Sequence, residues 1–355
     1  MATTKRIAVY DSIRGILLIL MILDHLGGPI AHLLYGRLGF WSAAEGFFFL
    51  SGFVVTRVAQ RKENAPLWFL RRTWKIWTWH TFSVVALAFL MMTLSLWGWK
   101  GLPGWEGFSD APLTHLAGAL LLIHLPDYLD VLPLYVLLML GAGLVFPWVL
   151  QKPTIRAWIL LLASANLWLV SLFLHEACPL AQSGWFRFGI FNPLSWQFVF
   201  WAGSTTAILS AHFCQRTPTG PRRFSWRFNL TLSLISLCLF FFWGWKNGIW
   251  GWRVPNDESI WTSRTLLGPL RLLSFTTVVS WCALLVRNHP RWLTFRFPSL
   301  LGRHSLQIYS IHLIFVYMWS FRPTHLADVW SYLVPAGVLT FLAMYAHQRE
   351  RAYRS

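Results

Sequence analysis

Hydrophobic residues run along this chain in stretches of about twenty, the length a helix needs to cross hydrocarbon, and they recur from one end to the other. Taken in order they predict helices over residues 7–27, 39–58, 76–97, 128–150, 155–174, 193–212, 228–249, 266–286, 299–319 and 331–347. The expected fold is all-α: a polytopic integral membrane protein of about ten transmembrane helices. Residues 1–355 are expected to form a single membrane-embedded unit, because no long linker, internal repeat or soluble domain interrupts the pattern. The apolar run LTHLAGALLLIHL, residues 113–125, is too short to span. It is expected on the outer face or re-entering, where with Pro126, Asp127, Tyr128 and Asp130 it is placed to form a lip over a site.

Composition narrows the class. At 56% hydrophobic and 12% charged residues, the chain has more apolar surface than a soluble domain of this size can bury. Its net charge of +17 would point to nucleic acid if the basic residues clustered, but they fall in alternate loops. One set collects Lys5, Arg6, Arg57, Arg61, Lys62, Arg71, Arg72, Lys75, Lys152, Arg156, Arg216, Arg222, Arg223, Arg227, Arg287, Arg291, Arg296, Arg349, Arg351 and Arg354. The other holds Arg37, Lys100, Arg187, Lys246, Arg253, Arg264 and Arg322. The positive-inside rule therefore sets both termini in the cytoplasm, names the lipid bilayer as the main partner and leaves no call for nucleic acid.

Acidic residues lean outward: Glu106, Asp110, Asp127, Asp130, Glu176, Asp257, Glu258 and Asp328 share the outer loops with Trp97, Trp99, Trp105, Trp185, Trp250, Trp252 and Trp261. Carboxylates beside flat apolar rings suit sugars, and an ordinary interfacial belt of aromatic anchors is the plainer alternative. Cys178, Cys214, Cys238 and Cys282 show neither CxxC spacing nor a neighbouring His cluster, so no disulfide framework and no metal site is expected. The first segment lacks a small-residue cleavage site and is expected to be a retained helix.

That first segment carries the chemistry. Asp11, Arg14, Asp24 and His25 interrupt an otherwise apolar run, and ionisable groups inside a bilayer cost several kcal/mol unless they have a task. At about 100° per residue, the step from Arg14 to His25 returns to nearly the same helix face and climbs about 16 Å. One stripe thus carries a cation toward the inner surface and an imidazole toward the outer. Glu45 is expected at the same outer level, so Asp24, His25 and Glu45 form one catalytic cluster in which a carboxylate orients the imidazole as general base. The alternative for each is a structural polar contact in the bundle. Toward the cytoplasm, WFLRRTWKIWTWH offers Arg71, Arg72 and Lys75, suited to an anionic donor's phosphates, or simply topological charge. Arg271 lies in the outer half of the membrane, where its expected partner is an anionic group on the substrate or a structural carboxylate, Glu45 or Asp24.

These residues carry a resemblance. The Arg14-x10-His25 stripe, the basic turn Arg71-Arg72-x-x-Lys75 and the late segment LGRHSLQIYSIHL resemble the membrane-bound acyltransferase-3 superfamily. DSIRGILLILMILDHLGG, AAEGFFFLSGF, YLDVLPLYVLLML, FNPLSWQFVFWAG and LGRHSLQIY are similar, in the same order, to OpgC-type proteins, the bacterial succinyltransferases of osmoregulated periplasmic glucans. The resemblance implies an inner-membrane O-acyltransferase that takes succinyl from cytoplasmic succinyl-CoA and places it on a periplasmic glucan hydroxyl, without a tightly bound cofactor. By motif position it implies His25 as base, Arg14, Arg71, Arg72 and Lys75 as donor-binding residues, and Ser305, Tyr309 and His312 in the acyl or acceptor site; Arg271, Asp127 and Asp130 are expected in that site from their outer position alone. His312 fits the broad superfamily better than the OpgC pattern. An acetyl group or another surface glycan remains the alternative, and a proton-coupled transporter would need matched broken helices in two halves, a pattern the sequence lacks.

The charge bias makes a direct prediction. Reporters fused after Lys62, Arg223 and Arg296 should report a cytoplasmic position and those after Trp105, Gln182 and Asp257 an outer one; reversal at two or more points would overturn the layout.

Overall fold

A computed structural model of the chain describes residues 8–27, 40–96, 108, 110–174, 189–216, 226–246, 259–320 and 327–352. Its elements are helical: α1 (Ala8–Leu26), α2 (Ala43–Ala59), α3 (Ala65–Ser95), the short α4 (Pro112–Leu120), α5 (Val131–Gln151), α6 (Pro153–Leu174), α7 (Pro193–Arg216), α8 (Trp226–Lys246), α9 (Pro269–Asn288), α10 (Arg296–Arg303), α11 (Ser305–Ser320) and α12 (Ala327–Ala352). Among the described residues, four helices are long and apolar enough to cross a membrane, within α3, α5, α6 and α9. Their outward faces are apolar, with Phe89 on α3, Leu144 on α5 and Phe173 on α6 largely exposed. Such faces suit contact with lipid and would be sticky patches in water. The helix α1 is nearly as long, but Asp11, Arg14 and Asp24 lower its apolar character.

Local chemistry explains the helix starts. Asn64 caps α3 by accepting the Leu67 N–H at 3.0 Å, with Pro66 in the first turn where its missing donor costs nothing. At the head of α2, Ser42 donates from its N–H (2.8 Å) and its hydroxyl (2.6 Å) to Glu45, three residues on. Pro269 opens α9 after Gly268, where a Cβ would lie 2.4 Å from the Trp261 carbonyl oxygen. Three expected elements differ. The third span begins at Ala65 rather than residue 76, because the helix continues beyond its apolar portion and takes Arg71, Arg72 and Lys75 with it. The expected span 299–319 is two helices, divided at His304. The run 113–125 is helical only from Pro112 to Leu120, and Trp77 and His80 of α3 tie it down by ring nitrogens at 3.4 Å from the Leu120 oxygen and 3.0 Å from the Ala119 oxygen. The outer-loop residues Trp97, Trp99, Trp105, Trp185, Trp250, Trp252, Glu106, Glu176, Asp257 and Glu258, and the inward Arg222 and Arg223, lie outside the described residues.

Two close crossings set the architecture. Where α1 meets α10, a Cβ on Gly15 would sit 1.8 Å from the Pro298 oxygen and one on Gly302 1.8 Å from the Asp11 oxygen. Where α2 meets α7, a Cβ on Gly52 would lie 2.0 Å from the Phe200 oxygen and one on Gly203 2.1 Å from the Phe49 oxygen. Lipid gives no hydrophobic drive between helices, so close backbone contact through small residues is the main attraction available. Above the second crossing an aromatic cluster fills the interior: Phe48 stacks on Tyr135 with ring centres 4.6 Å apart, and Trp196 and Phe191 pack around them.

The α2–α7 crossing should therefore tolerate no side chain. Gly52→Val is expected to cost about 1–3 kcal/mol through forced separation of the helices, read as a lower melting temperature in detergent, whereas Gly337→Val on α12, where a Cβ meets nothing within 4 Å, should be near neutral.

Candidate active site

The end of α1 and the starts of α2, α5, α7 and α9 converge at one end of the bundle around a cavity of about 380 Å³. Asp24 and His25 come from α1, Ser42 to Ala44 from the head of α2, Asp127, Tyr128 and Asp130 from the segment before α5, Ile190 and Phe191 from before α7, and Arg264 from before α9. Its wall thus combines an imidazole, carboxylates, a guanidinium and aromatic rings, a surface for a polar ligand with flat apolar faces.

His25 is held by a second histidine. Its Nδ1 lies 3.1 Å from His312 Nε2, and the two rings stack with centres 5.3 Å apart. His312 Nδ1 meets the Tyr309 carbonyl oxygen, which only accepts, so the His312 proton is on Nδ1. The Nε2 of a neutral His312 is then an acceptor, and His25 must donate from Nδ1. That leaves His25 Nε2 with a lone pair: the tautomer a general base needs. Sequence reasoning expected a carboxylate in the orienting role; here His312 stands against the ring.

The loop over His25 is clamped from α11. Tyr309 donates its hydroxyl to the Tyr128 carbonyl at 2.7 Å, and Tyr317 donates to the Asp127 carbonyl. Tyr128 adopts a left-handed backbone with φ of 65°, which a side chain disfavours, and its ring lies 4.6 Å from that of His25. Asp130 is buried and accepts the Ile190 N–H at 2.8 Å. Gly189 makes this approach possible: its φ is +74°, and a Cβ there would lie 2.4 Å from the Asp130 carboxylate.

The remaining predicted residues fall into distinct places. Glu45 is fully buried behind the cavity wall, with Oε2 on Ser42 and Oε1 paired with Arg271 Nε. Arg271 thus has the structural carboxylate as its partner. Arg14 lies 3.9 Å from Asp11, and Tyr135, deep on α5, feels the charges of both Arg14 and Arg72. Arg71 and Lys75 share the opposite, exposed face of α3. Ser305 is half-buried at the start of α11 and does not line the cavity. Arg264 was assigned by the sequence only to the outer-loop charge; nothing but its place just before an apolar span could have singled it out. Among the described residues no group of three metal-ligating side chains forms, and Cys238 and Cys282 are free thiols.

A family model described as OpgC protein matches residues 6–351, nearly the whole chain. The chain belongs to the OpgC family. Membership in that family points to an acyltransferase of the glucan succinyltransferase kind, and in this OpgC-family protein the cavity is lined by His25, whose ring meets His312. No curated protein and no solved structure matches the chain.

The clamp is testable without a substrate. Tyr309→Phe leaves the Tyr128 carbonyl unmet and should cost about 1–3 kcal/mol. Because Tyr317 holds the neighbouring carbonyl, the Tyr309→Phe/Tyr317→Phe double variant should depart from additivity in detergent melting.

Proposed function

We propose that this protein is an acyl-CoA-dependent O-acyltransferase of the inner membrane, moving succinyl from cytoplasmic succinyl-CoA to a hydroxyl of a periplasmic glucan. The observation that carries the reading is His25, set in a cavity with Nδ1 committed to His312 and Nε2 left as acceptor.

The chemistry follows from that tautomer. A glucan hydroxyl in the cavity gives its proton to His25 Nε2 as its oxygen bonds to the thioester carbonyl carbon. The tetrahedral intermediate then collapses: the carbon–sulfur bond breaks, the thiolate leaves and takes the proton back from His25. Ester and free thiol are formed, the imidazole returns to its starting state, and no protein nucleophile is required. Holding both reactants beside the base supplies much of the acceleration.

The donor route is supported by placement. Arg72 and Arg14 bring positive charge into the interior below Tyr135, while Arg71 and Lys75 face outward at the same level of α3. A nucleotide phosphate held there leaves an extended pantetheine arm to cover the roughly 16 Å of α1 between Arg14 and His25. Glu45 and Arg271 act as positioning residues for the cavity wall, and Asp24, Asp127 and Asp130 offer acceptors to sugar hydroxyls.

His25→Ala or His25→Gln should lower glycan acylation by about 10²–10⁴-fold with membrane insertion intact, and His312→Ala should cause a smaller loss. Mass spectrometry of periplasmic glycans from cells carrying each variant is the measurement; near-normal acylation by His25→Ala would sink the mechanism.

A further inference from the structure

The end of the bundle opposite the cavity carries a surface of a different kind. The helix α9 begins at Pro269, beside the cavity, and ends at Asn288, about 30 Å away along its axis. The chain then turns back through one turn of 3-10 helix, Pro290–Leu293, and enters α10. In this stretch, RNHPRWLTFRF from 287 to 297, every residue but Leu293 is exposed. Trp292 is 66% exposed, Phe295 48% and Phe297 44%, and Arg291 and Arg296 stand among them. The Trp292 ring stacks on that of His289, with centres 4.6 Å apart. No Asp or Glu occurs anywhere between Glu258 and Asp328, so the stretch brings no carboxylate of its own.

Charge that served topology alone would need no aromatic company, and a soluble anion has no use for three exposed rings. Arginines interleaved with Trp and Phe at the end of an apolar helix match the boundary of a bilayer, where rings sit at headgroup level and guanidinium groups meet phosphate. The stretch is also joined to α1. Phe295 donates its backbone N–H to the hydroxyl of fully buried Ser12 at 3.0 Å, and behind it Pro298 and Gly302 pack directly on the α1 backbone. We propose that residues 289–297 form a binding site for an anionic phospholipid, Arg291 and Arg296 receiving its headgroup while Trp292, Phe295 and Phe297 lie against its acyl chains, and that the bound lipid braces α10 against α1. A zwitterionic headgroup brings its own cation to the same phosphate, so the site prefers a lipid of net negative charge. Its occupancy can be measured with no acyl transfer at all, and so stands apart from the acyltransferase reading.

The test gives full-length protein in a neutral detergent either phosphatidylglycerol or phosphatidylcholine, counts bound lipid by native mass spectrometry and reads stability as the melting temperature. The wild type should bind phosphatidylglycerol in preference and melt higher with it, as a ligand of the folded state requires. R291Q/R296Q should lower that preference by about ten- to thirtyfold and cancel the rise in melting temperature. R291K/R296K, which keeps both charges, should retain the preference and the rise. R61Q/K62Q, which removes two exposed charges from the turn after α2, should behave as the wild type. An unchanged preference in R291Q/R296Q overturns the site, and so does an equal loss in R61Q/K62Q, which would make the attraction a diffuse property of this end of the bundle. If R291Q/R296Q lost binding of coenzyme A but kept its lipid, the two arginines would serve a soluble phosphate and the proposal would fall.

Discussion

The Glu45–Arg271 ion pair is the contact on which the cavity depends. Glu45 is fully buried, and a carboxylate there is tolerable only because both of its oxygens are met, one by Arg271 on α9 and the other by Ser42. Removing one partner from such a pair leaves an uncompensated charge and costs far more than the pair contributes. Its geometric consequence matters more than its net energy. It ties the head of α2 to the head of α9, and so fixes Ser42 to Ala44 relative to the segment that carries Arg264, both parts of the cavity wall.

The same logic of paired polar groups runs through the rest of the site. Backbone that leaves helical geometry needs partners for its carbonyls, and inside a membrane protein water is a scarce one. The phenols of Tyr309 and Tyr317 serve the segment before α5, and the indoles of Trp168 and Trp196 serve the segment before α9. Each strut reaches from a well-packed helix to an irregular loop, and each loop carries a residue that lines the cavity. Small residues make the scaffold dense enough for this: Gly15 with Gly302 and Gly52 with Gly203 bring backbones to distances no side chain permits.

What was legible in the sequence follows from what a one-dimensional pattern can show. His25 stood out because a charge in an apolar run is visible without knowing its neighbours. The partner of His25 was not readable in the same way: His312 lies on α11, far along the chain, and its place in the motif says nothing of which ring it touches. Arg264 was hidden for the opposite reason. An arginine before a span looks like topological charge, and only the folding of that segment over Trp196 turns it toward the cavity. The early start of α3 was missed because hydropathy marks the apolar part of a helix and not its hydrogen-bonded length. The break at His304 was missed because the short polar run Arg303, His304 and Ser305 is averaged away in an otherwise apolar segment, while packing of Gly302 against α1 decides the geometry.

A histidine behind a histidine is a different device from a carboxylate behind a histidine. A carboxylate would bring a full negative charge beneath the base and demand its own compensation in a medium of low polarity. His312 is neutral in the tautomer that its Tyr309 contact dictates, so it fixes the His25 ring without adding charge to the bundle. The cost is that it offers no counter-ion when His25 takes up a proton. In the proposed reaction that need arises only as the tetrahedral oxyanion forms, and then imidazolium and oxyanion appear together, a neutral pair in a cavity whose lining includes the carboxylate of Asp24 and the guanidinium of Arg264. The resting site stays inexpensive to bury, and the fixed charges of the lining are already in place for the charge separation that the proposed reaction requires.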